Sequence, residues 1–382
     1  MYLNHSKLIV GIVILSIISC TSNKKEKKQE ETLEKKQESY TMLVGTYTSE
    51  SSEGIYKVQF NPNTAELSEA SLVASSENPS FLTQSKDGKF VYAVNENDPG
   101  TLSTFQWNKE KTQLELQSKF SDGGKHPCFV GINPSQDQVA IANYSSGNVS
   151  VYSIKDGVVS EKPQTKNHSG SSIIKPNQDA PHAHSSKYSK DGKFLFVADL
   201  GIDKVMGYAV SEKGELQDQF IALEMDAGDG PRHFIFHPTD DIVYIISEFS
   251  NTITVANLNA ETGKMTKIDK VSTLPDDFKD ASYCADIQIS SDGKFVYGSN
   301  RGHNSIAVFE VKNDGKLNLI QTESVQGDWP RNFTLAPNDT HVIVANQKSD
   351  NIAVFKRDAN SGFINYTGNE LKMSMPVCLK FD

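Results

Sequence analysis

The chain has 382 residues, 37% of them hydrophobic and 23% charged, which is an ordinary globular composition with ample material for a large core. A formal charge of −10 argues against a nucleic-acid partner, because binding a phosphate backbone needs a basic face. No GxSxG, HExxH or P-loop pattern occurs, which removes the commonest routes to serine hydrolases, zinc proteases and nucleotide triphosphatases.

At the N-terminus, Lys7 precedes an apolar run from Leu8 to Ile18 that closes on Ser19-Cys20. The run is too short to span a bilayer and has the charged start and closing site of an export signal. Leu15-Ser16-Ile17-Ile18-Ser19-Cys20 resembles a bacterial lipoprotein signal, although Ile17 and Ile18 depart from its preferred Leu and small residue. That resemblance implies lipidation of Cys20, export, and attachment to a membrane through the lipid alone. Residues 21–40 are rich in Lys, Glu and Gln and cannot bury a core, so they are expected to form a disordered tether. The folded domain is expected over residues 41–382.

From there the chain repeats. The clearest units run Pro79…Asp87-Gly88…Asn95, Pro181…Asp191-Gly192…Asp199 and Cys284…Asp292-Gly293…Asn300. Weaker copies begin at Pro127, Pro231 and Pro330, so successive markers, ending with Pro376, lie 46 to 54 residues apart. Each unit reads as a short strand, an Asp-Gly hairpin turn in which Gly supplies the positive φ, and a near-continuous apolar strand. In the first unit, Leu102 to Trp107 and Leu114 to Lys119 add two more strands. Strand-built repeats of this length without helical periodicity predict an all-β propeller. Six units are complete. The half-units at Leu43–Tyr47 and Met375–Leu379 make a seventh blade if the two chain ends pair, which leaves no exposed edge. The remaining cysteines, Cys128, Cys284 and Cys378, fall near one point of the repeat and read as small buried residues, since they have neither disulfide nor zinc-site spacing.

The start of a blade's first strand and the end of its second share one face of the ring. Counting seven residues back from each turn Asp gives Ser80, His184 and Ala285, with Cys128, Arg232 and Arg331 at the aligned positions of the weaker units. Nine residues forward gives Glu96, Tyr144, Leu200, Glu248, Arg301 and Gln347. A scaffold requirement would repeat in every unit, so variation at these positions marks where a site is specialised. His184, Arg232, Glu248 and Arg301 are therefore expected to converge at one channel mouth. A base, two cations and a carboxylate suit attack of water on an ester of an anionic substrate. Ion pairing between blades is the alternative reading of the same charges. The eight-forward set, which includes Asp199, Asn300 and Asn346, is uniformly small and polar, as strand-end capping requires. Those three residues, with His182 and His233, are also candidate substrate contacts.

His182-Ala183-His184, Pro231-Arg232-His233, Ser247-Glu248 and Ser299-Asn300-Arg301-Gly302 resemble motifs of the seven-bladed propeller lactonases. That family includes a bacterial 6-phosphogluconolactonase and fungal carboxymuconate-lactonising enzymes, and the likeness covers residues 42–382. It implies a site of one His, two Arg and one Glu, which fall on His184, Arg232, Arg301 and Glu248. It also implies hydrolysis of a small anionic sugar-acid lactone, with either Glu248 or His184 activating water. Nothing in the chain calls for a metal or an organic cofactor. A surface propeller that binds a glycan or protein, and a lactonising cycloisomerase, are the competing functions.

Overall fold

The computed structural model describes residues 39–382, so Cys20 and tether residues 21–38 lie outside the described residues, while Tyr40, expected in the tether, begins the first strand. Every regular element among the described residues is a strand, and the strands form seven antiparallel sheets, five of four strands and two of five. The chain is a seven-bladed propeller. Blade 1 is composite: the strand Tyr40–Thr46 pairs with Gly54–Asn61 on one side and with the C-terminal strand Pro376–Phe381 on the other. Met42 faces Phe381 and Thr46 faces Pro376, so the two ends of the chain close the ring as the half-units predict. Blades 2 to 7 then span residues 79–121, 127–167, 183–224, 231–272, 283–324 and 330–372.

Burial falls from the centre of each blade outward. The second strands Gln138–Asn143, Phe194–Asp199 and Ile242–Ser247 are buried at every position, because both faces pack against neighbouring blades. The outermost strand of blade 2, Leu114–Ser121, leaves most of its side chains at the surface. The core is therefore a series of interblade layers. Tyr244 and Ile246 of blade 5, for example, belong to one cluster with Val296 and Phe309 of blade 6. Each fully buried aliphatic or aromatic side chain of this kind contributes about 1.5–3 kcal/mol.

Two local devices repeat. In the three Asp-Gly turns, Asp87, Asp191 and Asp292 each accept a hydrogen bond of 2.7 Å from the Ser two residues earlier. That Ser in turn accepts from the backbone N–H of Phe90, Phe194 or Phe295, so one six-residue sequence fixes the turn and the start of the next strand. Gly88, Gly192 and Gly293 adopt the positive φ that the turn demands. The second device ties blades together. The hydroxyls of Tyr92, Tyr244 and Tyr297 donate to the carbonyls of Gly157, Gly315 and Gly362 in the next blade, at 2.9, 3.1 and 2.9 Å.

Removing residues 376–382 would strip the inner strand from blade 1 and expose the edges of Tyr40–Thr46 and of both neighbouring blades. The truncated chain is expected to lose its cooperative melting transition and to precipitate. Thermal unfolding followed by circular dichroism checks this, and a transition like that of the full chain would refute the closure.

Candidate active site

One irregularity recurs in all seven blades. In blade 2, Pro79 pairs with Asn95 while Phe81 pairs with Val94, so Ser80 is an extra residue with no partner. The same slip isolates Cys128, His184, Arg232, Arg331 and Val377, and in blade 6 it isolates Ala285 and Asp286 together. A β-bulge bends its strand and re-aims a side chain. Here Ser80, Cys128, His184, Arg232, Arg331 and Val377 all line a crevice on the ring axis. Above it opens a pocket of about 240 Å³, walled by Tyr47, Glu96, Tyr144, Glu248, Arg301 and Arg331, with Cys128 and His184 at its base. Beneath it, Phe81 and Phe129 stack at 4.4 Å, and the ring of His233, from across the channel, meets them at 5.9 and 5.5 Å. Side chains from blades 2, 3 and 5 thus fill the channel and give the pocket a floor.

Glu248 is the electrostatic hub. Its Oε2 accepts from Arg232 Nε at 3.0 Å and lies 2.8 Å from Arg301 Nη2. The remaining donors of both guanidiniums go mostly to backbone: Arg232 Nη1 to Ala285 O at 2.6 Å, Arg301 Nη2 to Cys284 O at 2.8 Å and Arg301 Nε to Tyr283 O at 3.3 Å. Burial would raise the Glu248 carboxyl, but Arg301 and Arg232 outweigh it and hold the group below the usual carboxylate range. Burial, with Arg301 and Arg331 nearby, lowers Arg232 to about 10, which leaves it charged at neutral pH.

His184 is 4% exposed and its Nδ1 is buried without a hydrogen-bond partner. Its ring meets Tyr144 and His233 edge to face at 5.7 and 5.3 Å. Burial first, then the positive field of Arg232, keeps its pKa well below that of an ordinary imidazole, so it is neutral at pH 7. His233 sits in the floor, with Nδ1 2.8 Å from Asp286 Oδ1, and burial and Arg232 hold its pKa at about 4. Asn332 Nδ2 donates to Asp286 Oδ2 at 2.6 Å, and Leu379 N donates to Asn332 Oδ1 at 2.7 Å, which links the floor across blades 5, 6, 7 and 1.

The structure brings His184, Arg232, Glu248 and Arg301 together, and the ion pairs of the alternative reading are present between Glu248 and the two arginines. The candidate substrate contacts fare differently. Asp199, Asn300 and Asn346 are fully buried at strand ends. Asp199 accepts from the backbone of His182 and Gly201 and pairs with His168 Nδ1 at 2.6 Å. Asn300 donates to Thr273 O and Ser305 Oγ, and Asn346 to Val325 O, so all three are scaffold rather than substrate contacts. His233 contacts the floor network, not the open pocket. His182 stacks on Tyr144 at 4.5 Å and meets its carbonyl through Nδ1 at 2.8 Å, which makes it a prop for the wall. Of the two candidate bases, Glu248 has one oxygen occupied by two guanidiniums, whereas His184 has no carboxylate or cation bonded to it. Four wall residues were not selected from the sequence: Arg331, Glu96, Tyr144 and Tyr47. Three of them stand in the same register sets as the chosen residues, and Tyr47 is the blade 1 equivalent of Glu96. Taking each set whole would have found those three, and extending the second set to blade 1 would have added Tyr47. Among the described residues no group of three or more His, Cys, Asp or Glu is placed to hold a metal ion.

The profile of the lactonase, 7-bladed beta-propeller family matches residues 41–381. The chain belongs to this family. Among curated relatives, the lactonase propeller is 33% identical to a 6-phosphogluconolactonase of Bacillus subtilis over 345 residues, covering 90% of this chain and 98% of that one. It is 34% identical to a 6-phosphogluconolactonase of Formosa agariphila over 343 residues, covering 86% and 96%. Among solved structures, a periplasmic gluconolactonase of Pseudomonas aeruginosa superposes with a TM-score of 0.85 at 31% identity, covering 90% of this chain and 99% of that one.

Within this lactonase propeller, Glu248→Ala would leave the Arg232 charge, 2% exposed, without its counter-ion. Removing one partner of such a buried pair is expected to cost about 3 kcal/mol of stability, measured by denaturant unfolding at neutral pH. A loss near zero would show that the pocket re-solvates freely.

Proposed function

We propose that the chain is a lactone hydrolase of the 6-phosphogluconolactonase type, opening a sugar-acid lactone by attack of water. The observation that carries this reading is the imidazole of His184, which has no carboxylate partner and lies at the base of the pocket, with Arg301 and Arg331 in the wall and Arg232 in the crevice. A neutral imidazole can take a proton from water as its oxygen attacks the lactone carbonyl carbon. The resulting imidazolium then returns that proton to the ring oxygen as the C–O bond breaks, giving the open-chain hydroxy acid. The positive field of the arginines favours the tetrahedral oxyanion, and the enclosed setting strengthens that effect relative to water. Glu248 orients Arg232 and Arg301 instead of accepting the proton.

The sign of the pH dependence follows from the His184 environment. The base works when neutral, so activity is present above its folded-state pKa and lost below it. Because burial and Arg232 hold that pKa below 6.5, kcat/KM is expected to stay flat through neutral pH and to fall only in acid. His184→Ala should lower kcat by about 10²- to 10⁴-fold on gluconolactone or its 6-phosphate, with spontaneous opening subtracted. A profile with its inflection above pH 6.5, or an undiminished H184A enzyme, would remove His184 as the base.

We further propose that Cys20 carries a lipid that holds the exported protein on a membrane, a reading supported by the apolar run and the polar segment around it. Cys20→Ala should move the protein from the membrane to the soluble fraction, and unchanged fractionation would refute it.

A further inference from the structure

Arg331 differs from the other two arginines of the pocket. Arg232 and Arg301 each spend their donors on Glu248 and on backbone carbonyls. The nearest carboxylate contact of Arg331, Nη2 to Glu96 Oε1, is 3.8 Å, outside hydrogen-bond reach. Among the described residues its guanidinium donates no hydrogen bond to the protein. It is nevertheless held in place: its plane lies over the Tyr47 ring at 5.4 Å, and Tyr47 Oη donates to Glu96 Oε2 at 2.8 Å. A cation that served only the scaffold would have its fork filled, because a half-buried guanidinium with empty donors is costly. This one is 19% exposed and lines both the crevice beside His184 and the pocket above it.

We propose that Arg331 is a catalytic residue: the donor that binds the carbonyl oxygen of the scissile ester as it becomes an oxyanion, and then the carboxylate of the product. This rests on the lactone-hydrolase reading. Charge balance in the pocket agrees with it. Arg232, Arg301 and Arg331 against Glu96 and Glu248 leave one net positive charge, the complement of the single negative charge that hydrolysis of an ester creates. Arg232 and Arg301 share Glu248 at hydrogen-bonding distance, whereas Arg331 faces Glu96 only at 3.8 Å, so its donors are the ones left free for a developing anion. Glu96 and Tyr47 are positioning residues that set the angle of the fork.

The test compares the full-length protein with Arg331→Met and Arg331→Lys. Losing an oxyanion donor is expected to lower kcat by about 10²- to 10³-fold with KM changed far less, because the interaction forms in the transition state. The Lys variant, which keeps the charge without the fork, should recover at least about tenfold over Met, and a merely structural role would not produce that split. Should R331M fail to fold, the R331K kcat and KM alone decide the matter. An R331M enzyme that folds and keeps kcat within about threefold overturns the proposal. If the wild-type protein opens no lactone, the hydrolase reading fails separately, and gluconate titration by calorimetry tests the anchor by itself. Gluconate binding that weakens at least about tenfold in R331M upholds the anchor. Equal binding to both proteins, or none to the wild type, overturns it.

Discussion

The extra residue at the head of every inner strand is the constraint on which this molecule depends. A regular strand would alternate its side chains between the two blade faces. The bulge breaks that alternation once per blade, at the same height, and turns seven backbone positions toward the axis. Nothing in the ladder demands a particular side chain there, because the residue has no cross-strand partner. Ser80, Cys128, His184, Arg232, Ala285, Arg331 and Val377 can therefore differ completely while the strands on either side keep their register. The scaffold is uniform so that the site can be irregular.

The polar layer works because of what lies under it. Phe81, Phe129 and His233 fill the axis, so the charged groups sit at the end of a blind pocket instead of in an aqueous pore. Low polarity on one side raises the cost of each charge and the strength of each pair. Glu248 answers that cost for two guanidiniums at once, and backbone carbonyls of blade 6 take much of what remains. His184 meets the same pressure differently. It has no carboxylate and stays uncharged, which leaves a neutral imidazole beside fixed cations.

Much of this was legible in the sequence, for a physical reason: the turn Asp is a fixed origin, so counting from it is equivalent to measuring height in the ring. That count located His184, Arg232, Glu248 and Arg301 without any contact information. It misjudged Asp199, Asn300 and Asn346 because strand-end polarity looks the same whether a side chain bonds its own backbone or a ligand, and only burial separates the two. It passed over Arg331 and Glu96 because the selection followed consecutive units, whereas the closed ring places blade 1 between blades 7 and 2 and brings Arg331 within 3.8 Å of Glu96. The pKa of Glu248 was beyond the sequence altogether, since its sign depends on two nitrogen atoms within 3.0 Å of one oxygen.

The composite blade also fixes a polarity. Its N-terminal strand runs from Tyr40 toward Thr46 and Tyr47, and Tyr47 is part of the pocket wall. Its partner runs the other way, so Phe381 and Asp382 finish beside Met42 and Thr41, on the face away from the pocket. Entry and exit of the polypeptide thus share the rear of the disc, and the substrate opening has the front to itself. Among the described residues, both chain ends therefore lie on the face opposite the pocket mouth.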